Sequence, residues 1–318
     1  LFAGTYTIDA SVSMPNNTTL VGAGRGTVIT LPNSFNASIN AVTNTTTGGN
    51  GTGVVVQNLR LDGNKANQTS GATNGIYFNG VGSGTGSSAV QGGKIVGVWS
   101  NGWYGGHGIN LSSSSNNTVT GNTAQDNTTS GIYLSSSTSN TVSTNNVQGN
   151  GQYGIYLTLS SNNTLTGNTV QGNSGYGIGL FTSSASNTLT GNTVQGNGNY
   201  GIYLNASSYN TVTGNTSQGN NYGITLNAAS YNTISGNKIH DNGSTNNNGI
   251  YMLNASLSNS ITGNDITDTD CSVTCYAINI TGAGAASNYL SNNTFTGDGT
   301  YAATIRDLGT NTIYAGQS

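Results

Sequence analysis

Side chains able to do chemistry fall in two stretches of this chain. The first holds Arg60, Asp62 and Lys65, then Trp99, Trp103, Tyr104 and His107, and ends at Asp126. Acids, cations, a histidine and flanking aromatics are the groups that hold a sugar and move a proton on it. Aligning the repeat described below sets Asp62 beneath Trp99, with Asp126 one residue further along. That arrangement supplies a sugar-binding cleft with one acid. It does not assemble the carboxylate pair that glycoside hydrolysis requires. The plainer alternative is surface charge with aromatic cover over an irregular face.

The second stretch holds Lys238, His240, Asp241, Asp265, Asp268 and Asp270. Alignment puts Lys238 and Asp265 in one slot on adjacent coils, which predicts an ion pair. It also puts Asp241 and Asp268 in one slot, about 5 Å apart if the coils stack directly. Like charges that close need a cation or a proton between them. Asp241, Asp268 and Asp270 are therefore a candidate Ca²⁺ site, completed by backbone carbonyls; the alternative is that the insert splays the acids apart. No cofactor is otherwise required. Copper needs clustered His and Met, whereas His107, His240, Met14 and Met252 lie far apart. Cys271 and Cys275 share the insert. In an extracellular setting a local disulfide is favoured over two free thiols.

Between Asp126 and Lys238 there is no Asp, Glu, Lys, Arg or His. A phrase of the form Asn-Thr-Val-Thr-Gly-Asn-Thr-Val-Gln-Gly-Asn, then Gly-Ile-Tyr-Leu, recurs there about every 23 residues. One apolar slot holds Val119, Val142, Leu165, Leu189, Val212, Ile234, Ile261 and Leu290. A second holds Ala124, Val147, Val170, Val194, Ser217, Ile239 and Ile266. A third is a pair, as in Ile132/Leu134 and Ile202/Leu204. Apolar and polar residues alternate within each piece, and no piece is long enough for a helix. Three short strands per repeat describe one turn of a three-sided coil. Asn recurs between them, at Asn117, Asn122 and Asn127 and at matching positions onward. Asn tolerates left-handed backbone, so it suits a corner, and stacked amides can form ladders along the axis.

These residues resemble the right-handed parallel β-helix repeats of the pectate-lyase-like superfamily, over nearly the whole chain. Ala3-Gly-Thr-Tyr-Thr-Ile and the segment from Asn17 to Ile29 are similar to its opening coils, and Asn58-Leu-Arg-Leu-Asp-Gly-Asn to its next strand and corner. The resemblance implies an all-β fold: a single right-handed parallel β-helix, a three-sided solenoid of about 13 coils of roughly 23 residues. One domain would span 1–318, with irregular coils over 1–110, regular uncharged coils over 111–240 and longer coils with inserts over 241–318. Function is less constrained, since the superfamily includes lyases, hydrolases, epimerases, phage spikes and surface proteins. Its lyases typically use an Arg or Lys base beside Ca²⁺-binding acids, and its hydrolases clustered Asp with a nearby His.

The chain has 318 residues, 5% charged, with a net charge of −3. That leaves no basic footprint for nucleic acid, and no apolar run reaches membrane-spanning length. No signal peptide is present in the sequence, so the numbering is expected to start at a processed terminus or after a further segment that is not shown. The fold resemblance and the polar, uncharged surface point to secretion to the extracellular space or cell surface. Asn16, Asn67, Asn205 and Asn254 are N-glycosylation acceptors by motif. Such motifs are no more frequent than this Asn, Ser and Thr content gives by chance.

Aromatic columns run along the outside. Trp99, Trp103, Tyr104, Tyr133, Tyr153, Tyr156, Tyr176, Tyr200, Tyr203 and Tyr222 could stack on glycans or join neighbouring copies. Against this, Tyr and Thr are simply good strand residues. No cap is visible at either end, and uncapped solenoids pair end to end. The leading expectation is thus a secreted structural or adhesive β-solenoid that binds other copies of itself, head to tail and laterally, in a filament or surface layer. A carbohydrate-active enzyme or spike acting through 60–126, or a non-catalytic glycan-binding module, are the alternatives.

Overall fold

The structure is a computed structural model describing residues 1–46, 51–71, 73–83, 92–243, 248–268, 275–282, 284–297 and 305–316. The chain is all-β: three parallel sheets of twelve strands each, and every turn of the solenoid gives one strand to each sheet. The count is twelve turns instead of about thirteen because the early turns are long. Val28 pairs with Arg60, and Arg60 with Trp99, well beyond the 23-residue period. Among the described residues the one helical element is a 3₁₀ turn, Lys65–Asn67.

The chain divides into two compact units, Leu1–Thr164 and Leu165–Ser318. In the first unit the first sheet includes Thr27–Thr30, Arg60–Asp62, Trp99–Asn101 and Thr123–Gln125. Their middle residues point inward, so Leu61, Ser100 and Ala124 form one fully buried column. The second sheet buries Ile76/Phe78, Ile109/Leu111, Ile132/Leu134 and Ile155/Leu157 in register. In the second unit the equivalent columns are Val170, Val194, Ser217, Ile239 and Ile266, and the pairs from Ile178/Leu180 to Ile278/Ile280. Each strand alternates because a pleated strand exposes every second side chain to the core.

Asn columns line the inside of the corners. Asn140 shows the pattern: its Oδ1 accepts from the Asn117 backbone N–H and Nδ2, both at 2.9 Å, and its own Nδ2 donates to Ser114 O and Asn163 Oδ1. In the second unit Asn168, Asn192, Asn215, Asn237, Asn264 and Asn293 continue one such ladder without a break. These carboxamides are almost wholly buried. They satisfy corner backbone groups that have no strand partner, which would otherwise cost about 1–3 kcal/mol each.

One expectation is corrected here. The ladder Asn residues do not take the left-handed conformation. The residue before each of them does, as at Asn116, Gly121 and Asp126, with φ of 59°, 64° and 57°. The Asn side chain is needed inside the turn, and its neighbour makes the bend.

Candidate functional site

The first charged stretch comes together on the outer side of the first sheet. Register sets Arg60 beside Trp99, and Asp62 beside Asn101, which in turn pairs with Gln125. Asp62 is therefore not beneath Trp99, as expected from slot alignment. Ser100 holds the inward position above Leu61, so Trp99 moves to the outward slot of Arg60. Asp126 does fall one residue beyond the Asp62 column.

The Arg60 guanidinium spans two turns. It pairs with Asp62 at 2.6 Å and donates from Nε to Asn101 Oδ1 at 3.1 Å. The other Asp62 oxygen accepts from the Asn64 N–H at 2.9 Å. Asn64 bends the chain, with φ 52°, into the short 3₁₀ turn, and its Nδ2 holds Leu31 O and Asn33 Oδ1. That turn projects Lys65 over the sheet, where Nζ donates to Asp126 O at 3.1 Å. The result is a cleft of about 510 Å³ lined by Asp62, Asn64, Lys65, Ala66, Asn101, Gly102 and Asp126. The Asp126 Oδ2 accepts from Gln125 Nε2 at 3.1 Å. Arg25, missed in the sequence reading, lies over the Trp99 ring with Cζ 4.0 Å from its centroid, and Arg60 is 5.9 Å away. Its only sequence signal is a place in the glycine-rich corner before Thr27. Asn64 and Asn101 were also missed, although Asn101 shares the Asp62 slot.

Other expected members lie elsewhere. Trp103 is fully buried and cannot contact a glycan or a neighbouring copy. It fills the space left by the small Ser100, donating from Nε1 to Ser100 Oγ at 2.8 Å, while that hydroxyl donates to Gly108 O. A Cβ at Gly75 would sit 2.1 Å from Ser100 Oγ, so only glycine fits there. Tyr104 is half-buried, and its carbonyl accepts from Thr73. His107 does not line the cleft. Its Nδ1 accepts from the Ser130 N–H at 3.3 Å and meets Thr129 Oγ1 at 2.9 Å, and its ring stacks on Tyr133 at 4.5 Å. Burial pulls its pKa down to about 4, so it is neutral at neutral pH and poorly placed to act on a ligand in the cleft.

The stack continues from Tyr133 to Tyr156 and Tyr153, at 5.0 and 4.7 Å. In the second unit Tyr176, Tyr200, Tyr203 and Tyr222 form a comparable group with Phe181 and Tyr251. Burial, then the neighbouring phenols, push Tyr200 up to about 12. A ring face covered by a neighbouring ring is closed to a ligand.

The second charged stretch is looser. Lys238 and Asp265 share register, but no ion pair joins them; among the described residues the ion pair is Arg60–Asp62. Cross-strand register alone does not hold a flexible ammonium against solvent, and Asp265 Oδ1 lies 3.5 Å from Thr294 Oγ1 instead. Asp241 bends the backbone at φ 44°, and Asp268 is buried. Asp270 and Cys271 lie outside the described residues. No group of three His, Cys, Asp or Glu gathers among the described residues, while Ca²⁺ takes about six to eight oxygens, so calcium is unsupported. Cys275 is buried and disulfide-bonded. Of the glycosylation candidates, Asn67 and Asn254 are exposed, and Asn16 and Asn205 are half-buried.

Comparison with known proteins supports this fold. A family described as "Right handed beta helix region" matches residues 99–217. A second, "Periplasmic copper-binding protein (NosD)", matches 179–277. That stretch does not suit copper: His240 sits in the first sheet, and Met252 is wholly buried in the core. No curated protein matches the chain by sequence. Among solved structures, the A-module of mannuronan C-5 epimerase AlgE6 of Azotobacter vinelandii is similar at a TM-score of 0.85 and 22% identity, covering 100% of this chain and 89% of that one. The periplasmic alginate epimerase AlgG is similar at 0.71 and 14%, covering 99% and 78%. Tailspike protein 2 of an Escherichia coli O157:H7 bacteriophage is similar at 0.65 and 19%, covering 81% and 38%. At these identities the likeness establishes a right-handed parallel β-helix.

Proposed function

We propose that this right-handed β-helix binds an acidic polysaccharide across the first sheet of its first unit, in the cleft walled by Asp62, Lys65 and Asp126. The observation that carries this reading is the set of cations gathered at and beside the cleft: Lys65 lines it with Asp62 and Asp126, and Arg25 and Arg60 lie over the adjoining Trp99 ring. Lys65 and the arginines around Trp99 suit sugar carboxylates, and Asp62, Asp126, Asn64 and Asn101 suit hydroxyls. The alginate epimerases among the structurally similar proteins agree with this substrate class. The expectation of end-to-end self-assembly gains no support from the fold or its neighbours, so the carbohydrate reading is preferred. A disulfide at Cys275 fits a site outside the cytoplasm.

A second reading adds turnover, because an acid and a cation face one cleft: Lys65 would hold a uronate carboxylate while Asp126 takes the proton from the adjacent carbon. Water then either returns a proton to the opposite face, giving the epimer, or protonates the departing glycosidic oxygen on the next carbon, giving the unsaturated sugar. Calorimetric titration with alginate and polygalacturonate, against dextran as the neutral control, tests the binding reading. Tight binding to the uronates, weakened by salt and by Lys65→Ala, is expected. Equal binding to dextran, or none to any polyanion, overturns it. Unsaturated or epimerised products from the same polymers, lost in Asp126→Ala, would establish turnover.

A further inference from the structure

Two tyrosines stand at corners whose backbone does not favour a tyrosine. Tyr209 and Tyr231 take the same corner slot on successive turns of the second unit, with φ of 61° and 57°. The equivalent corners carry Ser186, Ser258 and Ser287, also left-handed. That backbone is unfavourable for a bulky residue and tolerable for a small polar one. Burial does not compensate, since Tyr209 is 60% exposed and Tyr231 51%. The backbone beneath them is fixed. The Tyr209 N–H donates to Ser230 O at 3.1 Å, and the following Asn210 and Asn232 lock together in the ladder. The rings lie parallel, 6° apart in plane, with centroids at 5.0 Å.

We propose that Tyr209 and Tyr231 are an oxidative cross-linking site, joined as dityrosine by a peroxidase acting with hydrogen peroxide. Each phenol loses one electron and its proton to the oxidant. The two phenoxyl radicals couple through ring carbons ortho to the hydroxyls, and each of those carbons passes its hydrogen to the phenol oxygen. The pair loses two hydrogens in all, and one peroxide takes up two electrons and two protons to give two waters. Parallel rings on a fixed backbone keep the two radicals adjacent, which favours coupling within the chain over coupling between chains. Exposure sets this pair apart from the half-buried Tyr176–Tyr200–Tyr222 stack. The bond would fasten one turn to the next outside the hydrogen-bond ladder.

The test treats the dilute full chain with a haem peroxidase and hydrogen peroxide, then maps peptides by mass. The expected product is a monomer lighter by two hydrogens, with one peptide linking Tyr209 to Tyr231. That peptide disappears in Tyr209→Phe and in Tyr231→Phe and persists in Tyr200→Phe, with circular dichroism confirming that each variant is folded. Dityrosine found only between chains, or mapped to the half-buried stack, or absent from the folded wild type, overturns the proposal.

Discussion

Lys65 Nζ donates to the main-chain carbonyl of Asp126 at 3.1 Å, so a cation on one turn is moored to the second turn above it. The bond uses the backbone of Asp126, a residue that lines the cleft, and its carboxylate accepts instead from Gln125. An arriving sugar acid can compete for the ammonium without breaking an ion pair.

Lys65→Met should therefore weaken uronate binding about tenfold, near 1.4 kcal/mol, and flatten its salt dependence. Stability should change by less than about 0.5 kcal/mol, as for an exposed surface group. Titrations at two salt concentrations and a urea melt check both parts. Unchanged affinity would remove Lys65 from the site.

The two tryptophans should report differently. Trp99 lies under Arg25 beside the cleft, whereas Trp103 is sealed in the core. Polysaccharide binding should alter intrinsic fluorescence in the wild type and in Trp103→Phe, and leave it unaltered in Trp99→Phe. Trp103→Ala should cost about 3–5 kcal/mol on denaturation. A ligand response surviving in Trp99→Phe would place the sugar elsewhere.

Asn192→Ala removes a ladder rung. Asn192 accepts from the Asn168 backbone and side chain and donates to Leu165 O and Asn215 Oδ1. Its loss strands a buried N–H and a buried carbonyl, so a cost of about 3 kcal/mol is expected in chemical denaturation. A cost below about 1 kcal/mol would mean that water replaces the rung.

His107 makes stability depend on pH. Its folded-state pKa is depressed from 6.5 to about 4 by burial. Below pH 6.5 the unfolded chain binds a proton that the folded chain refuses. Stability is then full above 6.5, declines as pH falls through the window from 6.5 to 4, and levels off below it, for a loss on the order of 3 kcal/mol. His107→Gln should flatten this segment of the stability profile. Ring-proton titration by NMR gives the pKa directly, and a value near 6.5 would contradict the assignment.

The repeat was legible because a solenoid writes its architecture locally. Val119, Val142 and the pair Ile132/Leu134 have fixed slots, and the structure buries every one of them. Trp103 was misplaced because the signal lay in its neighbour: Ser100 in an apolar slot leaves a void, and only a contact across the turn says which side chain fills it. The same substitution shifted the alignment of Trp99 against Asp62. Lys238 and Asp265 were correctly matched in register, yet register fixes Cα positions and leaves a long ammonium free. The cleft needed the 3₁₀ turn at Lys65, whose cause, Asn64 bound to Leu31 and Asn33, spans turns that no local pattern connects.

The Asn ladder also governs how such a chain can change length. It joins Asn210 to Asn232 across 22 positions, Asn168 to Asn192 across 24, and Asn264 to Asn293 across 29. Only the corners are read, so residues added between corners can loop out without disturbing any rung. Tandem duplication or deletion of a whole turn likewise returns each carboxamide to an identical partner. A sequence built this way can lengthen or shorten by recombination among its own repeats and keep folding, while the cleft near its beginning stays untouched.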